Sequence, residues 1–261
     1  MPFTDSHCHI DFTEFQDDLT RILADCYQKN ILTIIAPAVA PKYWQRLLDL
    51  CAMPSQCKLY PCLGIHPWYL TGLNEQDLLR LAEHAIEHLE NIVAIGEIGL
   101  DGVIAKQQDN LKQQLDFFEF QLYLANQVQK PVIIHHRRSH NELIEQLKKV
   151  PVEHGGVIHG FSGSFQQASN YIDMGFKLGI GGTITYPRAE KTIKAVARLP
   201  LSALVLETDA PAMPIAGEQG KYNSPLRLPN IFHALCQIRT ESPELIEHTI
   251  EENVKQLFFP M

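Results

Sequence analysis

Short apolar runs rich in β-branched residues recur along the chain, and between them the apolar positions fall at helical spacing. The runs are Phe3–His7, Leu32–Ala36, Leu59–Gly64, Val93–Glu97, Val132–His135, Gly156–His159, Phe176–Ile180 and Leu204–Asp209. Amphipathic segments over 14–29, 41–51, 75–89, 107–129, 140–149, 164–174, 188–198 and 225–238 predict helices, and a last helix is expected near 243–257. Nearly continuous apolar strands that alternate with helices mean a parallel sheet covered by helices. Eight such units in 261 residues predict one α/β domain over residues 1–261, a closed (β/α)8 TIM barrel, with a doubly wound sheet as the alternative.

The polar residues favour the barrel. His7, His9, His66, Glu97, His135, His159 and Asp209 fall at or just beyond the carboxyl ends of six of these strands. A barrel builds its site from several separate strand ends, whereas a doubly wound sheet gathers it at one switch point.

The sharpest local signal is Asp5-Ser6-His7-Cys8-His9. Side chains alternate faces along a strand, so His7 and His9 project together while Cys8 points away. Two imidazoles so placed can chelate one divalent cation. Asp5 shares their face and is a candidate to orient a ligand imidazole. Glu97 ends the run Asn91-Ile92-Val93-Ala94-Ile95-Gly96, where a buried carboxylate needs a cation or hydrogen-bond donors. His135, His159 and Asp209 end similar runs. Four histidines and two carboxylates exceed what one ion needs, which predicts two ions about 3.5–4 Å apart bridged by Glu97. Asp209 is placed to accept a proton from water or to orient it. His66, in Gly64-Ile65-His66-Pro67-Trp68, is expected to face the substrate, with an ordinary loop histidine as the alternative. His136 should point out of the barrel if His135 points in. His84, His88, His140, His154, His233 and His248 read as surface or packing residues.

Composition narrows the picture. The net charge of -8 argues against a broad nucleic-acid footprint. Residues 131–200 nonetheless hold nine Lys or Arg against five Asp or Glu, leaving room for a local basic patch. Six scattered cysteines without a C-x-x-C pair fit neither a disulfide scaffold nor a zinc ribbon. With no apolar leader or spanning run, a cytoplasmic location is expected, with no membrane and no obligate protein partner. Trp68, Tyr69, Phe161, Phe165 and Tyr186 lie near predicted mouth loops, as packing residues or as faces for one or two terminal bases. The irregular stretch from Ala210 to Ser224 should overhang the mouth beside Asp209.

The segments Asp5-Ser6-His7-Cys8-His9, Gly64-Ile65-His66-Pro67, Gly96-Glu97-Ile98-Gly99-Leu100-Asp101, Pro131-Val132-Ile133-Ile134-His135, His159-Gly160-Phe161-Ser162-Gly163 and Glu207-Thr208-Asp209-Ala210-Pro211 resemble the TatD family of metal-dependent deoxyribonucleases. The likeness runs in order over essentially the whole chain and includes the coda Glu252–Phe258. Asn223-Ser224-Pro225, with the long loop before it, looks most like the YjjV-type branch. The resemblance implies an amidohydrolase-like barrel in which His7, His9, Glu97 and Asp209 hold one ion. Glu97, His135 and His159 would hold the other. It further implies that His66 contacts the scissile phosphate or leaving group and that Arg137 steadies phosphate. Lys177 or Arg188 is a candidate for a further phosphate contact with a single-stranded end. The expected cofactors are two divalent cations, magnesium or manganese in function, with zinc or nickel able to occupy the same positions. The expected activity is 3′-to-5′ trimming of single-stranded DNA ends. A small-molecule phosphoesterase, or an amidase or lactonase on the same two-metal barrel, is the alternative, ahead of a non-catalytic metal-binding module.

Overall fold

A computed structural model describes residues 2–260. Eight strands pair in parallel in chain order: β1 (Phe3–Asp5), β2 (Ile31–Pro37), β3 (Lys58–Leu63), β4 (Ala94–Asp101), β5 (Val132–Arg137), β6 (Gly156–Ile158), β7 (Phe176–Ile180) and β8 (Leu204–Leu206). Helices α1 (Leu19–Gln28), α2 (Trp44–Ala52), α3 (Glu75–Glu87), α4 (Gly102–Gln108), α5 (Leu111–Gln127), α6 (His140–Lys149), α7 (Phe165–Ile172), α8 (Glu190–Val196), α9 (Leu228–Ile238) and α10 (Pro243–Phe258) lie between and after them. The architecture is the (β/α)8 barrel.

β1 and β8 are too short to share a ladder, and the barrel closes through the segments that follow them. Ser6 N–H donates to Leu206 O at 2.9 Å, Asp209 N–H to His7 O at 2.8 Å and His9 N–H to Ala210 O at 2.8 Å. Asp5 reinforces this seam. Its carboxylate accepts from Thr208 Oγ1 (2.6 Å), Thr208 N–H (2.9 Å) and His7 N–H (3.3 Å). Burial pushes the Asp5 carboxyl up to about 7 against those same donors. Asp5 therefore clamps the backbone beneath the histidines and does not orient an imidazole, contrary to expectation.

Strand alternation sorts the barrel into layers. Ile35, Cys62, Ala94, Ile133, Val157 and Val205 form one apolar cluster, which Val254, Leu257 and Phe258 of α10 join. Ile34, Leu63, Ile95, Val132, Ile134 and Ile158 belong to the larger cluster with the helices. α10 is fixed by polar bonds as well. Glu251 accepts from Thr4 N–H and Thr4 Oγ1, both at 2.8 Å, and the Asn253 amide donates to Leu201 O and Leu204 O.

Two steps further along the inward positions of Ile133, Val157 and Val205 stand His135, His159 and Glu207. Glycine makes room at this level. A Cβ on Gly64 would lie 2.7 Å from the Gly96 carbonyl carbon, and a Cβ on Gly179 would collide with the Glu207 carboxylate.

Several boundaries differ from those read in the sequence. The 107–129 segment is two helices, broken where Asp109 adopts a left-handed φ of 50°. β4 runs on to Asp101, while β8 stops before Glu207, and Asp209 beyond it takes a left-handed φ of 54°. The stretch after Asp209 is pinned at both ends. Asn223 donates to Thr208 O and Met213 O, and Tyr186 Oη donates to Pro214 O at 2.6 Å. Among the described residues no helix is long and apolar enough to cross a membrane.

Candidate metal centre

Glu97 is 2% exposed and lies where the β4–β5 register shifts, between Ile95 and Ile98. Its two carboxylate oxygens face different groups of side chains. Oε2 lies 3.3 Å from His7 Nε2 and 3.2 Å from His9 Nε2. Asp209 Oδ1 completes that group, 3.5 Å from His7 Nε2 and 3.7 Å from His9 Nε2, and the two imidazole nitrogens are 3.3 Å apart. Oε1 faces the other way, 2.7 Å from His159 Nε2 and 3.2 Å from His135 Nδ1, which are themselves 3.3 Å apart. All six sequence-predicted ligand positions thus converge on one pocket.

These separations suit metal binding. Tetrahedral ligands about 2.0–2.2 Å from a divalent ion lie roughly 3.3–3.6 Å from one another. The first group matches this spacing in all five measured pairs, to within about 0.1 Å. The second matches in two of three and is tighter between His159 and Glu97, as for a direct hydrogen bond. His7, His9 and Glu97 form one potential metal cluster; His7, His159 and Asp209 form another. A mixed imidazole and carboxylate set fits first-row transition ions and does not exclude magnesium.

For His9, His135 and His66, hydrogen bonds on the far side of the ring indicate which nitrogen can ligate. His9 Nδ1 sits 3.1 Å from Pro37 O and must carry the proton there, leaving Nε2 with its lone pair toward the pocket. His135 Nε2 lies 3.2 Å from Asp101 Oδ2, which leaves Nδ1 free to ligate. His66 is reversed. Its Nδ1 accepts the Trp68 N–H, so Nε2 carries the proton, and that Nε2 lies 3.1 Å from Glu97 Oε1. Burial lowers the His66 pKa to about 4, against the pull of Glu97. His66 is therefore a neutral donor aimed into the pocket, although its position beside Glu97 and His135 would also suit a ligand.

The site is electrostatically coupled. Burial opposes ionisation of Glu97, but His66, His159, His7 and the bond from His135 hold its carboxyl well below the usual range. Burial likewise opposes protonation of His159, yet the Glu97 charge and hydrogen bond carry it up to about 10. Such a proton occupies a place that a cation would take. Burial raises the Asp209 carboxyl, with His159 and His9 opposing.

Two buried carboxylates were missed in the sequence. Asp101 Oδ2 serves His135 and also accepts Trp68 Nε1–H at 2.7 Å, while its Oδ1 caps α4 through Val103 and Ile104 N–H. Arg137 Nη1 is 3.9 Å from the same Oδ2, and its side chain is half exposed at the mouth. Glu207, fully buried, accepts from Gly160 N–H and lies 3.9 Å from His159 Nδ1. Burial raises its carboxyl to about 8.

Other expectations need correction. Lys177 stands at the start of β7 and donates to Ser202 O at 2.8 Å, at the end of the barrel opposite the site. Arg188 packs over the Tyr186 ring. His136 lies against His140 and Tyr171, outside the barrel as expected. His84 and His88 stack along α3 and, with Glu87, form a separate surface cluster of potential ligands.

The family model for TatD related DNase matches residues 4–259. An uncharacterized metal-dependent hydrolase of Haemophilus influenzae is 41% identical over 99% of this chain and all of its own length. YjjV of Escherichia coli K12, also named an uncharacterized metal-dependent hydrolase, is 40% identical over 98% of this chain and 97% of its own. The crystal structure of Escherichia coli YjjV superposes with a TM-score of 0.93, covering 98% of this chain and 97% of that one. With its barrel, its paired donor groups and these relatives, the chain belongs to the TatD-related DNase family.

Proposed function

We propose that this protein is a metal-dependent hydrolase that trims single-stranded DNA from its 3′ end by phosphodiester cleavage. The observation that carries this reading is the division of Glu97, with Oε2 among His7, His9 and Asp209 and Oε1 between His135 and His159. These residues would hold two divalent ions, magnesium or manganese in use, with Glu97 between them. Bound there, such ions polarise a phosphoryl oxygen and make water acidic enough to attack near neutral pH.

The chain's own groups supply the rest. Asp209, whose carboxyl is raised by burial, accepts the proton of the attacking water. His66 hydrogen-bonds through its Nε2–H to a phosphate oxygen or the leaving oxygen and keeps that proton, so the ring stays neutral and the departing oxygen is protonated from water. Arg137, exposed beside Asp101, meets phosphate from outside the metal ligands. A duplex would need a broad cationic surface, which a chain of charge -8 does not offer, whereas one flexible end needs only a narrow entry.

Matched linear and circular single-stranded DNA, incubated with magnesium or manganese, test this reading against an Asp209→Asn background. Linear strands should shorten from the 3′ end while circles stay intact. Equal cleavage of both forms would overturn end trimming. Cleavage of neither, with turnover of small phosphate esters or of amides and lactones, would replace the nucleic-acid substrate with a small molecule.

A further inference from the structure

Trp68 is an anomaly at the mouth. Trp68 is 47% exposed, yet both its indole N–H and its backbone N–H are engaged. Its Nε1–H donates at 2.7 Å to Asp101, a carboxylate with no exposure at all, and its backbone N–H donates to His66 Nδ1. The ring meets His66 edge-on at 5.4 Å between centroids and His135 at 6.1 Å. One edge is thus tied to the ligand His135 through their shared acceptor, Asp101 Oδ2, while much of the ring surface faces solvent. A cleft of about 470 Å³ lies against it, lined also by Tyr69, Lys42 and Arg80.

Three other mouth aromatics are committed elsewhere. Phe161 is buried, Arg198 lies 4.3 Å from the Phe165 ring centroid, and Tyr186 is held by Pro214 O beneath Arg188. Holding a large apolar face in water gains nothing for folding. It does pre-pay the ordering of a ring that a flat π-system can cover. Every nucleobase offers such a face, and stacking on it tolerates any sequence.

We propose that Trp68 is the stacking platform for the nucleobase next to the scissile phosphate, with the Lys42 cleft receiving the adjoining nucleotide. The proposal rests on the nucleic-acid reading of the substrate. Because Asp101 holds both the indole and His135, a stacked base would be registered directly against the reacting centre.

The chain has two tryptophans, and Trp44 is 1% exposed with its indole N–H bonded to Gly64 O at 2.9 Å. Fluorescence quenching therefore reports on Trp68. The probes are dAMP and 2-deoxyribose 5-phosphate, which differ in the base, titrated into the intact protein with magnesium present. Saturable quenching by dAMP, little by the sugar phosphate and none in Trp68→Phe is the expected pattern. By calorimetry, Trp68→Gln, which keeps an N–H donor for Asp101, should weaken dAMP at least about fivefold. It should weaken the sugar phosphate much less. An unchanged ratio between the two affinities, or equal quenching by both probes, would overturn the platform. Because these are binding readouts, a protein that stacks dAMP yet cleaves no oligonucleotide would refute the nuclease reading and leave the subsite in place.

Discussion

Replacing Glu97 with alanine is expected to lower hydrolysis by on the order of 10³-fold or more and to remove more bound metal than any other single ligand substitution. The reason is geometric. Glu97 gives a separate oxygen to each donor group, whereas His7, His159 and Asp209, which also lie together, each offer one ligand atom. Without it, His7, His9, His135 and His159 remain as imidazoles with no shared anion to offset two dications. His159→Ala deletes one donor from one group and should leave the ion among His7, His9 and Asp209. Metal content of the purified variants, measured alongside wild type, decides the matter. Loss of the same single equivalent from Glu97→Ala and His159→Ala would mean that one ion binds and that Glu97 does not bridge.

Asp209→Asn should reduce kcat by about 10²- to 10⁴-fold with a much smaller change in metal content. Asparagine keeps an oxygen where Asp209 Oδ1 stands, 3.5 Å from His7 Nε2, so the first donor group retains its shape. It cannot take a proton. Metal-loaded variant and wild type compared at saturating substrate isolate this effect. A kcat within a few-fold of wild type would assign proton transfer to another group, and loss of metal in step with activity would make Asp209 a ligand only.

His7 and His9 were legible because they share one face of a strand, and Glu97, His135, His159 and Asp209 because each ends an apolar run with a side chain that has nothing apolar to do there. Glu207 carries the same signal. It follows Val205 at inward parity, one residue past a strand of leucine and valine, and shares that apolar run with Asp209 two residues on. Asp101 was hidden by a boundary. With the strand read as ending at Glu97 and the helix as beginning at 107, it fell in a loop, whereas β4 carries it beside Arg137 of β5. Its cap on α4 is an Asp-Gly junction, a local pattern that was present in the sequence.

The reversed role of His66 was not readable, since it depends on which nitrogen receives the Trp68 N–H in three dimensions. Lys177 was misplaced for a simpler reason. A residue at the start of a barrel strand faces the end opposite the site, and that rule needed only the strand's direction.

Two ions divided by Glu97 are the centre of the account, and crystals grown with manganese test them most directly. An anomalous difference map collected near the manganese edge should show two peaks about 3.5–4 Å apart, one on each side of the Glu97 carboxylate. The first should lie among His7, His9 and Asp209 and the second between His135 and His159, with His66 Nε2 bound to neither. A single peak, or a second peak displaced from Glu97 to His84 and His88 at the carboxyl end of α3, would contradict it.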